Sequence, residues 1–435
     1  MMTWKKKTLQ MSVGAIMASQ LCLTNPADAQ QVMVDAKLLQ QLQQLIADQQ
    51  KQLDRLEKQV NQSQQTAVTA QSQAQEAKTV AEEAKTTAQT SAPKVVTSGV
   101  ENVKLAISGQ VNRAMNVIDD GNKTDAYFVD NGASNTRIRF VGTAGINEDL
   151  TLGSRLEIAF TPNASGDVSQ DKQDASDTFN QRYADLSLAS KKYGKLYFGK
   201  GDTASNNTAE VDFSGTDVIA YSSIADIAGG MKFYDNDLDD LSNIRVSSAF
   251  KNFDGLSRRD RVRYDTPTYY GFGLAGSVIS DRRWDSALTW SGSGYGFKVG
   301  AAAAMAYING DDTNQQYDGS FSVMHEETGL NFTFSSGTQD ADGSDNPYNV
   351  WGKFGWQTKF CPLGKTSFSI DYGHTENISA EGDKGDSLGL TAVQSFADYG
   401  TDVYLQFRQY ALDRDSNFND VDDINVATVG ARVKF

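Results

Sequence analysis

The chain has two cysteines, six prolines and two histidines in 435 residues, and no apolar run long enough to cross a membrane as a helix. Each shortage excludes something. Cys22 lies in an amino-terminal stretch built like a removable export signal, which leaves Cys361 alone and no intrachain disulfide to form. His325 and His374 sit near the ends of separate segments with no nucleophile motif beside them, so the chain is not expected to be an enzyme. Metal-ligand spacings and phosphate-cradling glycine loops are missing, and no cofactor is expected; the Asp-rich stretches offer at most a weak surface site for Ca²⁺. Positive charge is short too. The formal net charge is −15, and loss of Lys5, Lys6, Lys7 and Asp28 with the signal takes it to −17 (−15 − 3 + 1), which argues against a nucleic-acid partner.

What is present begins with that signal. Lys5-Lys6-Lys7 precedes an apolar stretch from Leu9 to Leu23, and Ala27-Asp28-Ala29 supplies small residues for cleavage after Ala29, so 1–29 reads as a signal peptide. Leu21 stands where a lipid-modified Cys22 would need a small residue, which argues against a lipid anchor. Residues 30–92 are a different substance: from Gln31 to Ser91 there is no Gly, Pro or aromatic residue. Leu39, Ile46, Leu53 and Val60 recur in one heptad position, with Leu42 and Leu56 in the other, and the register continues through alanines to Ala88. That pattern predicts a long α-helical coiled coil, roughly 80 Å at 1.5 Å per residue, with an Ala/Gln-rich helical linker as the alternative. Pro93 ends it, and 93–102 reads as a linker.

From Val103 the apolar pattern switches to period two and stays there to the end. About sixteen alternating segments can be counted, an even number, as bacterial membrane barrels have. Tight turns such as 147–149 and 191–194 alternate with long Asp-rich connections such as 119–134, 162–179, 337–347 and 412–423. Short turns on one rim and long loops on the other are a barrel's asymmetry. The last strand, 424–435, puts Val429, Ala431, Val433 and Phe435 on one face and Arg432 and Lys434 on the other, and ends the chain on an aromatic where a barrel closes. Residues 103–435 therefore predict an all-β transmembrane barrel of about 16 antiparallel strands.

Parity also sorts the charges. Arg137, Arg139, Arg155, Arg261, Arg263 and Arg408 oppose the Ile, Leu, Val and Phe of their own segments. A charge facing lipid costs about 2–4 kcal/mol at the midplane, so these six arginines are expected to line a water-filled lumen. Arg113 and Arg182 share the apolar parity instead, and Trp351 is expected in an aromatic girdle with Trp284, Trp290 and Trp356. The longest connection, 201–258, carries Glu210, Asp212 and Asp217; folded inward, it would set acids against the arginine wall as a constriction. The bland alternative is that the arginines pair with lumen acids and the loop is solvated.

Gln181-Arg-Tyr-Ala-Asp-Leu-Ser-Leu188 through Lys195-Leu-Tyr-Phe-Gly-Lys200, then Arg261-Val-Arg-Tyr-Asp-Thr-Pro-Thr268, resemble the trimeric general porins of Gram-negative outer membranes, as does the terminal Phe435. The resemblance covers Val103 to Phe435. It implies a sixteen-stranded barrel, a homotrimer set in outer-membrane lipid and lipopolysaccharide, an inward third loop, and passive diffusion of ions and small hydrophilic solutes. Lys200 stands where the family carries Arg, and 229–258 exceeds its usual third loop. The coiled coil would stand in the periplasm, where it either trimerises or touches the cell wall. The alternatives kept open are a substrate-selective channel for sugar, phosphate or dicarboxylate, and a tether between outer membrane and cell wall.

Overall fold

The computed structural model describes residues 95–97 and 99–435, apart from 177, 309–313 and 342, with 44 and 51 as single helical positions. The expected signal segment and the coiled-coil residues Leu39, Leu42, Ile46, Leu53, Leu56 and Val60 lie outside the described residues. The strands belong to the unit Pro93–Phe435.

β1 (Val95–Thr97), β2 (Lys104–Asp119), β3 (Thr124–Asp130), β4 (Arg137–Gly145), β5 (Leu150–Thr161), β6 (Thr178–Ser190) and β7 (Gly194–Asp202) precede a long segment, 203–257. That segment carries a small hairpin, β8 (Lys232–Asp235) and β9 (Asp240–Arg245). The wall resumes with β10 (Arg258–Asp265), β11 (Phe272–Ile279), β12 (Trp284–Gly294), β13 (Phe297–Tyr307), β14 (Gln315–His325) and β15 (Leu330–Gln339). It finishes with β16 (Tyr348–Cys361), β17 (Gly364–Glu376), β18 (Lys384–Phe396), β19 (Thr401–Asp413) and β20 (Ile424–Lys434). Each wall strand pairs antiparallel with the next, and β20 returns to β2 from Gln110↔Lys434 to Asp119↔Asn425, so the sheet closes. β3 and β4 both pair with β2, over Arg113–Asp119 and Lys104–Gln110, and make one wall strand interrupted at 131–136. Counted so, the barrel has sixteen antiparallel strands: β2, β3/β4, β5–β7 and β10–β20. Closure removes the sheet edges that an open sheet of this size would expose.

Alternation explains the faces. Leu156, Leu186, Phe198, Leu274, Phe354 and Leu405 stand exposed on the outside, while their neighbours Glu157, Asp185, Lys353 and Gln406 are buried inside. No helix among the described residues is long and apolar enough to cross a membrane; the strands do so, with their polar sides inward. At the seam, Phe435 exchanges two backbone hydrogen bonds with Gly109, 3.0 and 2.9 Å. A Cβ on Gly109 would lie 2.5 Å from the Phe435 ring, so only glycine leaves room for the terminal aromatic. β1 takes the next stretch of the same edge, pairing 95–97 with 104–106.

Several boundaries differ from the sequence pattern. The Asp-rich 119–134 is not one long loop: Asp119 and Asp120 accept from the backbone N–H of Gly121, Asn122 and Lys123, folding a tight turn after which β3 begins. These aspartates are turn caps, the role short acidic side chains fill beside a reversal. Ser291-Gly-Ser-Gly294, a tight turn by its composition, continues β12 instead, and the reversal is Tyr295-Gly296, both with positive φ (53° and 79°), the geometry of the tightest hairpins. Trp351 is not in a girdle; it is 2 % exposed, points inward, and donates its indole N–H to Asp371 at 3.1 Å.

Candidate functional site: a charged constriction across the lumen

The segment 203–257 crosses the lumen, held by wall side chains that satisfy its irregular backbone. Asp285 on β12 accepts from the N–H of Ala204 and Ser205 at 3.2 and 2.9 Å. Ser320 and Ser322 on β14 accept from Val211 and Phe213 at 2.9 and 3.0 Å. Farther round, Gln406 donates to the Ile219 carbonyl, Tyr410 to Ile224, Asn116 to Ile227 and Thr375 to Ala249. Non-helical backbone at membrane depth survives only where protein or water meets its polar groups, and here the wall meets them. The strongest clamp is Lys353 on β16. Its side chain is fully buried, and its ammonium bonds the Asp212 carboxylate, Thr216 Oγ1 at 3.1 Å and the Ala220 carbonyl at 2.8 Å.

Beside this segment the lumen holds a cavity of about 560 Å³. Arg137, Arg139, Arg182, Arg258 and Arg432 line it from the wall, and Glu210, Asp217, Asp226 and Asp254 line it from the crossing segment. A second cavity of about 570 Å³ opens toward the short-turn rim past Lys359, Lys365, Asp398 and Lys434. Asp217 and Arg432 line both cavities and so stand between them.

The arginine side is built from arginines on four strands, β4, β6, β10 and β20, and three acids, Glu157, Asp202 and Asp402. Glu157 on β5, fully buried, is shared by Arg139 and by Arg182 at 2.6 Å. Arg258 reaches Asp202 at 3.2 Å, and Arg432 grips Asp402 through two nitrogens at 3.0 and 2.8 Å. Arg137 contacts Ser134 Oγ at 3.3 Å and has no carboxylate at ion-pair distance among the described residues. Its charge is left to face the cavity. On the acidic side, enclosure by protein pushes the Glu210 carboxyl well up, and the neighbouring Asp254 and Asp226 add to the shift. Burial likewise raises Asp254 to about 6 against the pull of the Asn207 and Ala209 N–H groups. Enclosure within the lumen raises Asp217, although its side chain is exposed to the cavities, with Asp212 adding and Lys353 and Arg432 opposing; Asp226 is raised by burial despite bonds from Tyr221 and Ser223. Two opposed rows of charge set a field across the passage.

Of the residues singled out from the sequence, Arg137, Arg139, Glu210 and Asp217 come together here. Asp212 does not reach this cavity: it is turned back into the Lys353 clamp. Arg408 and Arg261 are nearly fully buried and lie flat along the wall. Arg408 on β19 crosses Gly389 on β18 to reach Asp371 on β17, at 2.7 and 2.9 Å. Arg261 on β10 crosses Gly199 to reach Asp185 on β6 at 2.9 Å. A Cβ on Gly389 would sit 2.5 Å from both the Arg408 and Asp371 head groups, so the glycine is what lets the pair close. Arg155 also pairs with Asp185, at 2.8 Å, with its guanidinium 3.6 Å over the Tyr183 ring. Arg263 is taken by Asp265 and the Thr203 carbonyl at 2.7 and 2.6 Å.

Arg182, Arg258, Asp226 and Asp254 are not singled out by the sequence as site residues, and Arg432 is read there only as lying on the polar face of the closing strand. Arg182 has the outward parity, but the β5–β6 register jumps from Glu157↔Tyr183 to Ile158↔Gln181, which leaves Arg182 as the extra residue of a bulge and turns it inward. The one sequence signal for Arg258 and Asp254 was their place at the end of the long connection.

A family model described as Gram-negative porin matches residues 66–416. Outer membrane protein U of Vibrio parahaemolyticus is 24 % identical over 297 residues, covering 63 % of this chain and 84 % of the relative. Among solved structures, OmpT of Vibrio cholerae superposes with a TM-score of 0.52 at 14 % identity, covering 79 % of this chain and all of that one. An anion-selective porin from Comamonas acidovorans gives 0.51 at 14 % identity over 77 % of this chain and all of its own length. These structural likenesses establish the fold alone. With most of its length matched by the family model, this sixteen-stranded barrel belongs to the Gram-negative porin family and is an outer-membrane channel.

Proposed function

We propose that this porin passes ions and small hydrophilic solutes by passive diffusion between the arginine wall and the acidic crossing segment. The observation that carries this reading is that two polar cavities in the lumen share Asp217 and Arg432 in their linings. The lining leaves Arg137 without a carboxylate partner among the described residues and sets raised-pKa acids opposite it, so selectivity is weak near neutral pH and depends on pH. Tyr183 and Tyr221 are the two aromatic side chains in the lining of the upper cavity, against five guanidiniums and four carboxyls, so charge is the main sorting principle.

We further propose a homotrimer. Arg113 has outward parity on β2, is exposed, and among the described residues its guanidinium bonds the carbonyls of Pro162 and Phe128, at 2.5 and 3.4 Å. An outward guanidinium costs about 2–4 kcal/mol against lipid at midplane depth, a cost that a subunit interface avoids. Farther along the same strands, toward the short-turn rim, Leu105, Phe140, Leu156 and Leu186 rim an outer groove floored by Gly142, Ser154 and Ala184, suited to a knob from a neighbouring copy. The remaining outer wall meets lipid and lipopolysaccharide. Residues 30–92 are proposed as a periplasmic coiled coil that supports trimerisation, with cell-wall contact as its second role. The test is electrophoresis and bilayer recording: heat-modifiable trimers that conduct are expected, and a folded oligomer without conductance would remove the channel reading.

A further inference from the structure

Twice in this wall an aspartate meets a guanidinium across a glycine on the strand between: Asp371, Gly389 and Arg408, and Asp185, Gly199 and Arg261. A third set has the same layout without the arginine. Asp318 on β14 is paired in register with Gly337 on β15, and Gly337 with Asn349 on β16. Both side chains face inward, Asp318 at 7 % exposure and Asn349 at 3 %. Asp318 accepts from the Thr208 hydroxyl through one oxygen, and its other, Oδ2, has no hydrogen-bond partner among the described residues. Asn349 Oδ1 is likewise without a partner there, as is Ser335 Oγ, two residues along the same face of β15. Where the other two sets put a positive charge, this one sets oxygen opposite oxygen.

We propose that Asp318 and Asn349 hold one Ca²⁺ ion between them, a diffusible cation in the place the arginines fill elsewhere. Strand spacing puts the two Cα positions about 9.6 Å apart, room for two short side chains to lean in on one ion at oxygen distances of about 2.3–2.6 Å. Asn349 leans that way. Its Oδ1 lies 3.2 Å from where a Cβ on Gly337 would stand, and the Asn252 carbonyl oxygen lies 3.1 Å from the same point. Phe253 Cβ is 2.7 Å from it, so only glycine leaves this space. The Asn252 carbonyl belongs to the returning end of the crossing segment and offers a third oxygen. Local charge favours a cation as well, since Asp254 and Asp285 both act electrostatically on Asp318. The donors to these three acids are backbone N–H and hydroxyl groups of 204–209 and Ser277, with no ammonium or guanidinium paired to them among the described residues. Lys251, on the same limb, turns to Gln339 Oε1 at 3.4 Å instead. Ca²⁺ takes carboxylate, amide and carbonyl oxygens alike, so it needs no cluster of three acidic, histidine or cysteine side chains, and the described residues contain none. The ion pins the returning limb to β14–β16, and with it Asp254, which lines the upper cavity.

The test uses the full chain, refolded in detergent without lipopolysaccharide, stripped with a chelator and equilibrated with radioactive Ca²⁺ at constant KCl. The Asp-rich loops bind alike in parent and variants, so the difference between them is read. Asp318→Asn is expected to take up about one ion per chain fewer than the parent. Asn349→Arg supplies the guanidinium that the other two sets carry, and is expected to lose the same ion while keeping a heat-modifiable fold. Equal uptake by the parent and either folded variant overturns the proposal. Should neither variant fold, crystals of the parent grown with Tb³⁺, which occupies Ca²⁺ sites, decide: an anomalous peak within about 2.6 Å of Asp318 Oδ2 is expected. No peak there, as when the Asn349 amide donates directly to Asp318, overturns it. Uptake needs a folded barrel but no current, so a conducting protein that takes up no such ion sinks the cation and leaves the channel reading standing.

Discussion

Replacing Lys353 by Met isolates what holds the crossing segment in place. The ammonium is fully buried and gives one bond each to Asp212, Thr216 and the Ala220 carbonyl, while the Asp212 side chain is only 4 % exposed. Methionine keeps most of the volume and removes every one of those donors. The carboxylate and the carbonyl are then stranded, and removing one partner of a buried pair costs about 3–5 kcal/mol. The barrel wall itself keeps its ladder, since the β15–β16 and β16–β17 pairings run through backbone atoms. The cost therefore falls on the position of 212–220. At about 1.4 kcal/mol per tenfold, 3 kcal/mol shifts a docked-to-undocked equilibrium by roughly two orders of magnitude. Because Asp217, which lines both cavities, lies in that stretch, the lumen beside it loosens. Single-channel recording is expected to show larger, noisier openings for Lys353→Met, with parent-like openings recovered in part when Asp212→Asn is added, since the stranded charge is then gone. Quiet openings of parental size in the single variant would refute the assignment of Lys353 as the clamp.

Three other outcomes follow from the geometry. Burial raises Glu210 and puts Asp254 at about 6, so both carboxyls take up protons at higher pH than ordinary acids, whereas the facing guanidiniums stay charged. Reversal potentials should move toward anions as pH falls from 7.5 to 5, and Asp254→Asn should shrink that step; a pH-independent potential contradicts the assignment. Gly389→Val is expected to wedge apart Arg408 and Asp371 and lower the temperature at which the folded band converts to the unfolded one on gels, since a buried pair is broken. Deleting Phe435 removes two seam hydrogen bonds and the ring seated at Gly109, and slower refolding into detergent or lipid is the expected result.

Much of this fold was legible because a barrel wall writes its two solvents into alternate residues. The closing strand at 424–435 and the placement of Arg137 and Arg139 both follow from parity. Parity fails where a bulge resets it, and Arg182 is the case. It also says only which face a side chain leaves from, not how far it reaches. Arg408 and Arg261 start inward but lie down across a glycine to an aspartate two strands away, a relation visible only once register aligns three strands. The crossing segment was legible as long and acidic. Its apolar residues carry no period that announces packing against Ile118 and Val426, because the matching surface comes from strands hundreds of residues apart in sequence.

The central claim is that solutes pass between an arginine wall and an acidic segment. A charge about 10 Å away in water acts with roughly 0.4 kcal/mol, cut to about 0.15 by a 10 Å screening length at 0.1 M salt. Neutralising Arg137, Arg139 and Arg182 together to Gln therefore changes cation and anion entry by about twofold each in opposite directions, or roughly fourfold in their ratio. The reversal potential of the parent and of this triple variant, across a salt gradient in planar bilayers, tests this most directly. A shift toward cations with conductance retained is the predicted result; an unchanged reversal potential in a conducting barrel would place the passage elsewhere.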